Sequence, residues 1–198
     1  AQDAEELSAR PEWKTIACPV GEVADGMRAI GTTLNMETRM LEILELAGRW
    51  HDLGKAHPAF QGLIREGEGR PQRHDLAKAP KTAWGKKYLM GDGREERPGF
   101  RHELASALAL FAVLQRHAPR HDALLGPWAE ALDLIGTPLT DAPSGNSPTP
   151  CEQAILDCSS DEFDLLAYLV LCHHGKVRVA LHAGPKDQDY VDRDQRGL

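Results

Sequence analysis

The 198-residue chain lacks the features that mark membrane, secreted and motor proteins. It contains no run of about 18 apolar residues, which argues against a membrane span. Residues 1–10 are polar and acidic and do not resemble a secretory signal. There is no G-x-x-x-x-G-K-[ST] phosphate loop, so any ATP-driven motor must be supplied by another domain or subunit.

Cysteine is scarce and has no pattern typical of a binding site. The chain has four cysteines and no C-x-x-C pair, and their spacing fits neither a zinc knuckle nor a disulfide framework. Free thiols are the rule in a reducing compartment. We therefore expect a cytoplasmic protein whose cysteines are unpaired: Cys18, Cys151, Cys158 and Cys172.

The net charge of −7 argues against a protein that binds nucleic acid through its overall charge. The charge is unevenly distributed, however. Residues 70–101 contain nine basic and four acidic side chains, a net charge of +5, which leaves −12 for the rest of the chain. This segment is either a solvated basic loop or a strip that contacts phosphates beside a functional site.

Hydrophobic periodicity favours an all-α fold. Apolar residues recur at helical spacing over 22–34 and 41–53, and an Ala- and Leu-rich stretch predicts a helix over 101–117. Ser159 and Glu162 have the spacing of a capping box, which predicts the start of an apolar helix that ends before Gly175. Sustained period-two alternation is absent. We expect six to eight helices in a single domain, 1–198.

The weaker elements are predicted from local composition. Asn35 is a candidate N-cap, 59–65 a short helix, 122–135 a longer helix and 177–181 a short strand. Glycine and proline make 67–99 and 137–150 long irregular loops. The segments 1–20 and 187–198 are expected to be irregular as well.

The dipeptide His51-Asp52 lies at the end of the predicted 41–53 helix. Adjacent side chains do not share a helix face, but at a helix terminus both can point to the same place. An imidazole and a carboxylate suit a borderline divalent ion, and a carboxylate can also bridge two metal ions. The dipeptide alone is weak evidence, because His74-Asp75 and His121-Asp122 occur in the same chain and are expected to be surface residues.

Further histidines separate His51-Asp52 from these two pairs. His102 begins one predicted helix, and His173 and His174 end another. Helical bundles build metal sites from side chains that converge on one pocket. The histidines at these helix ends, together with His51-Asp52, therefore form a candidate metal site.

These residues belong to a set of motifs with a known counterpart. The set consists of His51-Asp52-Leu53-Gly54-Lys55, Phe60-Gln61, Arg101-His102-Glu103 with Ser106, and His173-His174-Gly175. It resembles the HD nuclease domain of the CRISPR-associated nuclease-helicase of type I systems. The run from Cys172 to Arg178 is most similar to the type I-G (I-U) branch. The resemblance extends over residues 23–178.

The resemblance implies an HD-domain helical bundle that cuts single-stranded DNA in antiviral defence. It implies one or two divalent transition-metal ions, with manganese, iron, cobalt or nickel favoured and magnesium as a further candidate. A helicase domain or subunit and a CRISPR RNA-guided surveillance complex are the implied partners.

The resemblance also implies roles for individual residues. His51 and Asp52 would bind metal directly, with Asp52 bridging two ions. The second ion would be held by His102, His173 and His174. Lys55 would lie beside the scissile phosphate as a catalytic residue together with Asp52. The expected contacts to nucleic acid are Arg101, Ser106, Lys176 and Arg178, although Ser106 taken alone is better interpreted as a helix hydroxyl with no such role.

The chain departs from the family pattern at two places. The family has a histidine in the helix before the HD pair, whereas this chain has no histidine before His51. Cys18, Glu22 and Asp25 are candidate substitutes, and the first metal site is otherwise weak or empty. The family also has a late aspartate ligand, for which the candidates are Asp187, Asp189, Asp192 and Asp194, or a residue beyond Leu198.

Two other functions are compatible with the same residues. An HD phosphohydrolase that acts on nucleotides or cyclic nucleotides would use the same ligands. Alternatively, a degenerate HD fold could serve as a docking module without catalysis, because a fold does not fix a function.

Overall fold

The computed structural model describes residues 12–65, 69–85, 88–90, 95–97, 101–126, 128–136 and 147–175. Within these ranges the chain forms eight α-helices and four short strands, so the predicted all-α class is confirmed. The helices are α1 Ala17–Thr33, α2 Thr38–Trp50, α3 Pro58–Leu63, α4 His102–His117, α5 Asp122–Leu125, α6 Trp128–Leu134, α7 Pro150–Leu156 and α8 Ser160–Cys172. Among them, no helix combines the length and the apolar character that a bilayer crossing needs.

The strands form two small antiparallel pairs. β1 (Lys14–Thr15) pairs with β2 (Leu76–Lys78), and β3 (Tyr88–Met90) pairs with β4 (Glu95–Arg97). Short 3-10 turns cover Leu53–Ala56 and Lys81–Ala83. The strands of the segment 67–99 are three residues long or shorter, too short to produce the alternation by which a strand is predicted from sequence.

The principal core lies between α2, α4, α7 and α8. Its side chains are apolar residues that repeat at helical spacing along these four helices: Ile43, Leu46, Trp50, Leu110, Val113, Leu114, Ile155, Phe163, Leu166 and Val170. A smaller cluster joins α3 to β2 through Phe60, Ile64 and Leu76. The first cluster fixes α2, α4 and α8 relative to one another, and these helices carry the histidines. The second cluster supports the turn Leu53–Ala56, which follows α2.

The predicted capping box is present at the start of α8. The Ser159 hydroxyl accepts a hydrogen bond from the Glu162 N–H, and the Glu162 carboxylate accepts one from the Ser159 N–H. Two backbone donors that an α-helix leaves unpaired are thereby satisfied. The Glu162 carboxylate also pairs with Arg39 of α2, so the same side chain joins α8 to α2.

Several element predictions were wrong in detail. Asn35 does not cap α2: it adopts a left-handed φ of 53° in the turn after α1, where asparagine is tolerated, and the cap position of α2 is Glu37. Residues 17–20 are helical rather than irregular, because α1 begins at Ala17. The helix expected over 122–135 is divided into α5 and α6, and α7 begins at Pro150, where a loop was predicted to end. The strand expected at 177–181 and the tail 187–198 lie outside the described residues.

Candidate metal centre

His51 and Asp52 directly follow the last residue of α2. The His51 Nδ1 lies 2.7 Å from the Gly48 carbonyl oxygen, so Nδ1 carries the proton and donates it. The Nε2 atom of this ring therefore retains its lone pair. Asp52 is only 3% exposed although it is an acid, and a carboxylate is buried at low cost only when it has partners.

A serine from α4 holds the turn that follows Asp52. The Gly54 N–H donates to the Ser106 Oγ at 2.7 Å, and the Ser106 hydroxyl donates to the His51 carbonyl oxygen at 2.8 Å. Ser106 is completely buried. This placement corrects the nucleic-acid contact expected of Ser106, because its hydroxyl is hidden and engaged by the backbone of the turn.

Gly54 lets the turn approach α4 closely. A Cβ added at Gly54 would lie 2.1 Å from the His102 carbonyl oxygen and 2.7 Å from the Ser106 backbone nitrogen. No side chain fits at that distance. The glycine therefore brings the backbone after His51-Asp52 against the first turn of the helix that carries His102.

Lys55 is buried to the same degree as Asp52. Its Nζ donates to the Asp52 Oδ2 at 2.8 Å and lies 5.8 Å from the centre of the Phe60 ring. The Gln61 amide donates to the carbonyl oxygens of Lys55 and Leu76, at 2.6 and 2.9 Å, and thus anchors the turn to β2. Lys55 is therefore held at its side chain by Asp52 and at its backbone by Gln61, which fixes a positive charge beside the carboxylate.

Three histidines from α4 and the end of α8 form a cluster, and two of them lie next to the other oxygen of Asp52. The Oδ1 lies 3.4 Å from the His102 Nε2 and 3.8 Å from the His173 Nε2. The Nε2 atoms of His102 and His174 are 3.0 Å apart. One nitrogen from each of His102, His173 and His174 lies within 4.8 Å of the others, a spacing that allows them to share one ion.

The proton positions on these rings fit a cation. The His173 Nδ1 donates to the Val170 carbonyl oxygen at 2.7 Å, so its Nε2 has a lone pair; that Nε2 is buried and has no hydrogen-bond partner among the described residues. His102 and His174 direct two nitrogens at each other, and at most one can carry the shared proton. Imidazole nitrogens together with a carboxylate oxygen are ligands for manganese, iron, cobalt, nickel or zinc ions.

Burial acts in opposite directions on the pKa values of the carboxylate and the imidazoles in the centre, but the net shift of Asp52, His173 and His174 is downward. Burial lowers the pKa of His173 to about 4 and also lowers that of His174, with a further contribution from the neighbouring His102. Burial alone would raise the pKa of Asp52. The nearby His102 and His51 rings and the Lys55 ammonium outweigh it, so the pKa of Asp52 lies well below its ordinary range. At neutral pH the centre is therefore an ionised carboxylate facing unprotonated His173 and His174.

A second carboxylate supports His102 from behind. The Glu103 Oε2 lies 3.6 Å from the His102 Nδ1, on the side of the ring away from Asp52. Carboxylates in this position orient a metal-binding imidazole and increase its basicity. Glu103 was not predicted as a site residue, although an acid next to a histidine in the first turn of a helix is a signal that could have indicated this role.

The two oxygens of Asp52 have different surroundings. Oδ1 faces the three clustered histidines, whereas Oδ2 is bound by Lys55 and lies 3.4 Å from the His51 Nε2. The family histidine that precedes the His-Asp pair is missing here, and the residues predicted to replace it do not reach the centre. Glu22 pairs with Lys14 and with the Cys18 thiol, and all of Cys18, Glu22 and Asp25 are exposed.

The remaining predicted residues are placed as follows. Arg101 is partly buried and its Nε donates to Glu103 at 3.3 Å, so it lies next to the centre. Lys176, Arg178 and the four late aspartates lie outside the described residues. His121 caps α5 by accepting from the Ala123 N–H, and His74 is exposed. Among the three His-Asp dipeptides of the chain, His51-Asp52 is the pair that the structure brings together with further histidines.

We expect the metal-free protein to lose stability between pH 7 and pH 5. The pKa of His173 is about 4 in the folded protein, against an ordinary value of 6.5, so the unfolded chain binds more protons in this interval. Stability is then fully present above pH 6.5 and falls as the pH decreases towards 4, by about 2 kcal/mol between pH 7 and pH 5. Urea unfolding in EDTA at the two pH values measures the loss.

His173→Asn should remove most of that pH dependence, whereas the same substitution at the exposed His74 should leave it intact. A metal-free wild type whose unfolding free energy does not change between the two pH values would contradict the assignment of neutral, buried imidazoles.

Comparison with known proteins gives one match. The family model "Cas3, HD domain" matches residues 23–196, most of the chain. No curated protein and no solved structure matches the chain. The matched range contains the whole histidine cluster, Asp52 and Lys55, which is the constellation expected of a metal-dependent hydrolase of CRISPR systems. The chain belongs to the Cas3 HD-domain family.

Proposed function

We propose that this chain is a nuclease that hydrolyses phosphodiester bonds in single-stranded DNA during CRISPR interference. A helicase domain or subunit would deliver the strand, and the type I-G (I-U) branch is the setting that its motifs resemble most. One observation carries the proposal. Nitrogens of His102, His173 and His174 lie within 4.8 Å of one another, the Asp52 Oδ1 lies within 3.8 Å of two of these rings, and the buried His173 Nε2 has no hydrogen-bond partner in the described part of the chain.

The ligands proposed for metal are His102, His173, His174 and Asp52, with His51 on the opposite oxygen of the carboxylate. A bound divalent ion would polarise the phosphate and make a bound water more acidic. The buried Asp52, Lys55 and His102 would fix the position of the phosphate at this centre. No covalent protein intermediate is required.

Lys55 has a defined place in this proposal. Its ammonium adds to the effect of His102 and His51 in keeping Asp52 ionised, and it would supply positive charge next to the phosphate, where negative charge develops during the reaction. Arg101 is the residue before the helix that starts at His102, and its guanidinium donates to Glu103. We propose that a neighbouring phosphate of the strand competes with Glu103 for this guanidinium. Lys176 and Arg178, which directly follow the histidine pair in sequence, are proposed to contact the strand as well.

The function is tested with one panel of substrates and metals. The purified chain is incubated with single-stranded DNA, duplex DNA, mononucleotides and a cyclic nucleotide, each with manganese, iron, cobalt, nickel or magnesium ions and with EDTA. We expect cleavage of single-stranded DNA with at least one transition metal and none in EDTA.

Each alternative gives a different result in the same panel. Phosphate release from nucleotides without DNA cleavage would identify a small-molecule phosphohydrolase and refute the nuclease. No hydrolysis of any substrate, together with no metal bound after dialysis against these ions, would identify a docking module.

A further inference from the structure

A groove extends away from the proposed metal centre. Its volume is about 420 Å³, and it lies between α1 and α8, above α2. The floor is formed by Ala47 and Gly48, and the walls include Val23 and Met27 of α1 and Tyr168 of α8. At one end it reaches His51, His173 and His174, so it opens directly onto the ligands of the proposed centre.

Small residues on α2 give the groove its depth. A Cβ added at Gly48 would lie 3.0 Å from backbone atoms of Ala24, which shows how closely α1 lies on α2 at this point. The α8 helix packs against the same helix α2. Gly48 therefore lets α1 lie directly on α2, and Ala47 and Gly48 line the groove with small residues between α1 and α8.

The groove is chemically unlike a phosphate site. None of the described side chains that line it is charged, and most are apolar. Its polar groups are the imidazoles at the end, the Tyr168 hydroxyl and the Cys172 thiol. A ligand anchored by its phosphate at the centre would therefore extend an uncharged, largely apolar part into the groove.

We propose that the groove binds a nucleobase of the substrate, the one attached to the nucleotide whose phosphate lies at the histidine centre. The inference rests on the proposed function and extends it. A base is flat and uncharged and lies one sugar away from its phosphate, which matches a groove that begins at the metal ligands. A volume of about 420 Å³ is within the range of small-ligand pockets and accommodates either a purine or a pyrimidine.

Tyr168 is the residue best placed to recognise that base. It is half exposed, on the wall of the groove, and its ring offers a surface on which any base can stack. The few polar groups in the groove give little basis for distinguishing one base from another. The groove would consequently hold the strand in place for cutting without selecting its sequence.

The test compares two oligomers that differ only in their bases. One is a short oligothymidylate and the other is an abasic oligomer of the same length, both with phosphorothioate linkages that slow cleavage. Affinities are measured by fluorescence anisotropy in manganese. Wild type should bind the base-bearing oligomer at least about fivefold more tightly, the ratio expected for one stacked base.

Variants locate the preference in the groove. Met27→Trp fills the groove from α1, and Tyr168→Ala removes the ring; both should bring the affinity ratio close to one, whereas Tyr168→Phe should retain it. Ile30→Trp is the matched control, since Ile30 lies on the same helix and is 60% exposed outside the groove. Circular dichroism checks folding, and if Met27→Trp does not fold, Tyr168→Ala decides.

Equal binding of the two oligomers by wild type, or no binding of either, would overturn the proposal. An unchanged ratio in a folded Met27→Trp or Tyr168→Ala variant would do the same. Cleavage of unmodified strands in manganese is followed in parallel. Cutting without a preference for bases refutes the groove and leaves the nuclease function intact, whereas a preference in binding without any cutting refutes the nuclease function alone.

Discussion

Asp52→Ala is expected to reduce DNA cleavage roughly a thousandfold or more, because the loss of a metal ligand removes several kcal/mol of transition-state stabilisation. Asp52 is the residue whose two oxygens face both halves of the centre, the three histidines on one side and Lys55 with His51 on the other. The same substitution should lower the metal content after dialysis. Cleavage rate and bound metal are measured on the same preparation.

Asp52→Ala is also expected to lower the free energy of unfolding, and this effect must be distinguished from the direct loss of cleavage activity. Asp52→Ala leaves the Lys55 ammonium buried without its carboxylate, a change that costs about 3–5 kcal/mol. Adding Lys55→Leu removes the unpaired charge and should restore most of the unfolding free energy but none of the cleavage. If the double variant regained cleavage together with stability, Asp52 would be a structural residue, and the proposed mechanism would be wrong.

Gly54→Ala is expected to damage stability and metal affinity together. The added Cβ would lie 2.1 Å from the His102 carbonyl oxygen, so either the turn or the first turn of α4 must move. Backbone has little freedom to yield there, and we expect a loss of at least about 3 kcal/mol, the upper end for overpacking. Because His51-Asp52 and His102 are then displaced relative to each other, metal affinity should fall roughly 10- to 100-fold.

Gly26→Ala provides the matched control. Gly26 is exposed on α1, and an added Cβ there meets nothing within 4 Å. Since alanine favours a helix over glycine, this variant should be more stable by about 0.5–1 kcal/mol with unchanged metal affinity. Denaturant unfolding and metal titration measure both variants. Wild-type affinity in a folded Gly54→Ala protein would show that the close approach does not set the geometry of the centre.

The parts of the fold that depend on nearby residues could be predicted from the sequence. Ser159 and Glu162 are three residues apart, and the helix they cap begins where that spacing places it. The cluster of His102, His173 and His174 could be anticipated because each lies at the end of an apolar helix, and such helices must pack on one another. For these two features, the local sequence pattern and the need to bury apolar helix faces were sufficient for a correct prediction.

Contacts between distant segments could not be predicted in the same way. The Ser106 hydroxyl looks like any serine in a helix, and only the approach of residues 51–54 gives it partners. The requirement for glycine at position 54 comes from the backbone of His102, which lies 48 residues further along the chain and leaves no mark on the sequence around Gly54. The β1–β2 pair joins residues near positions 14 and 76, and neither strand is long enough to show a pattern by itself.

The serine that bridges the His51 carbonyl oxygen and the Gly54 N–H has a consequence for selectivity among ions. By joining the turn of Asp52 to the helix of His102, it holds proposed ligands about 50 residues apart in sequence in place through protein contacts alone. A centre that is assembled in advance does not reshape itself around each ion. It discriminates by ionic radius and preferred coordination geometry. A hydroxyl that touches neither metal nor substrate would thus help decide which ion the protein accepts.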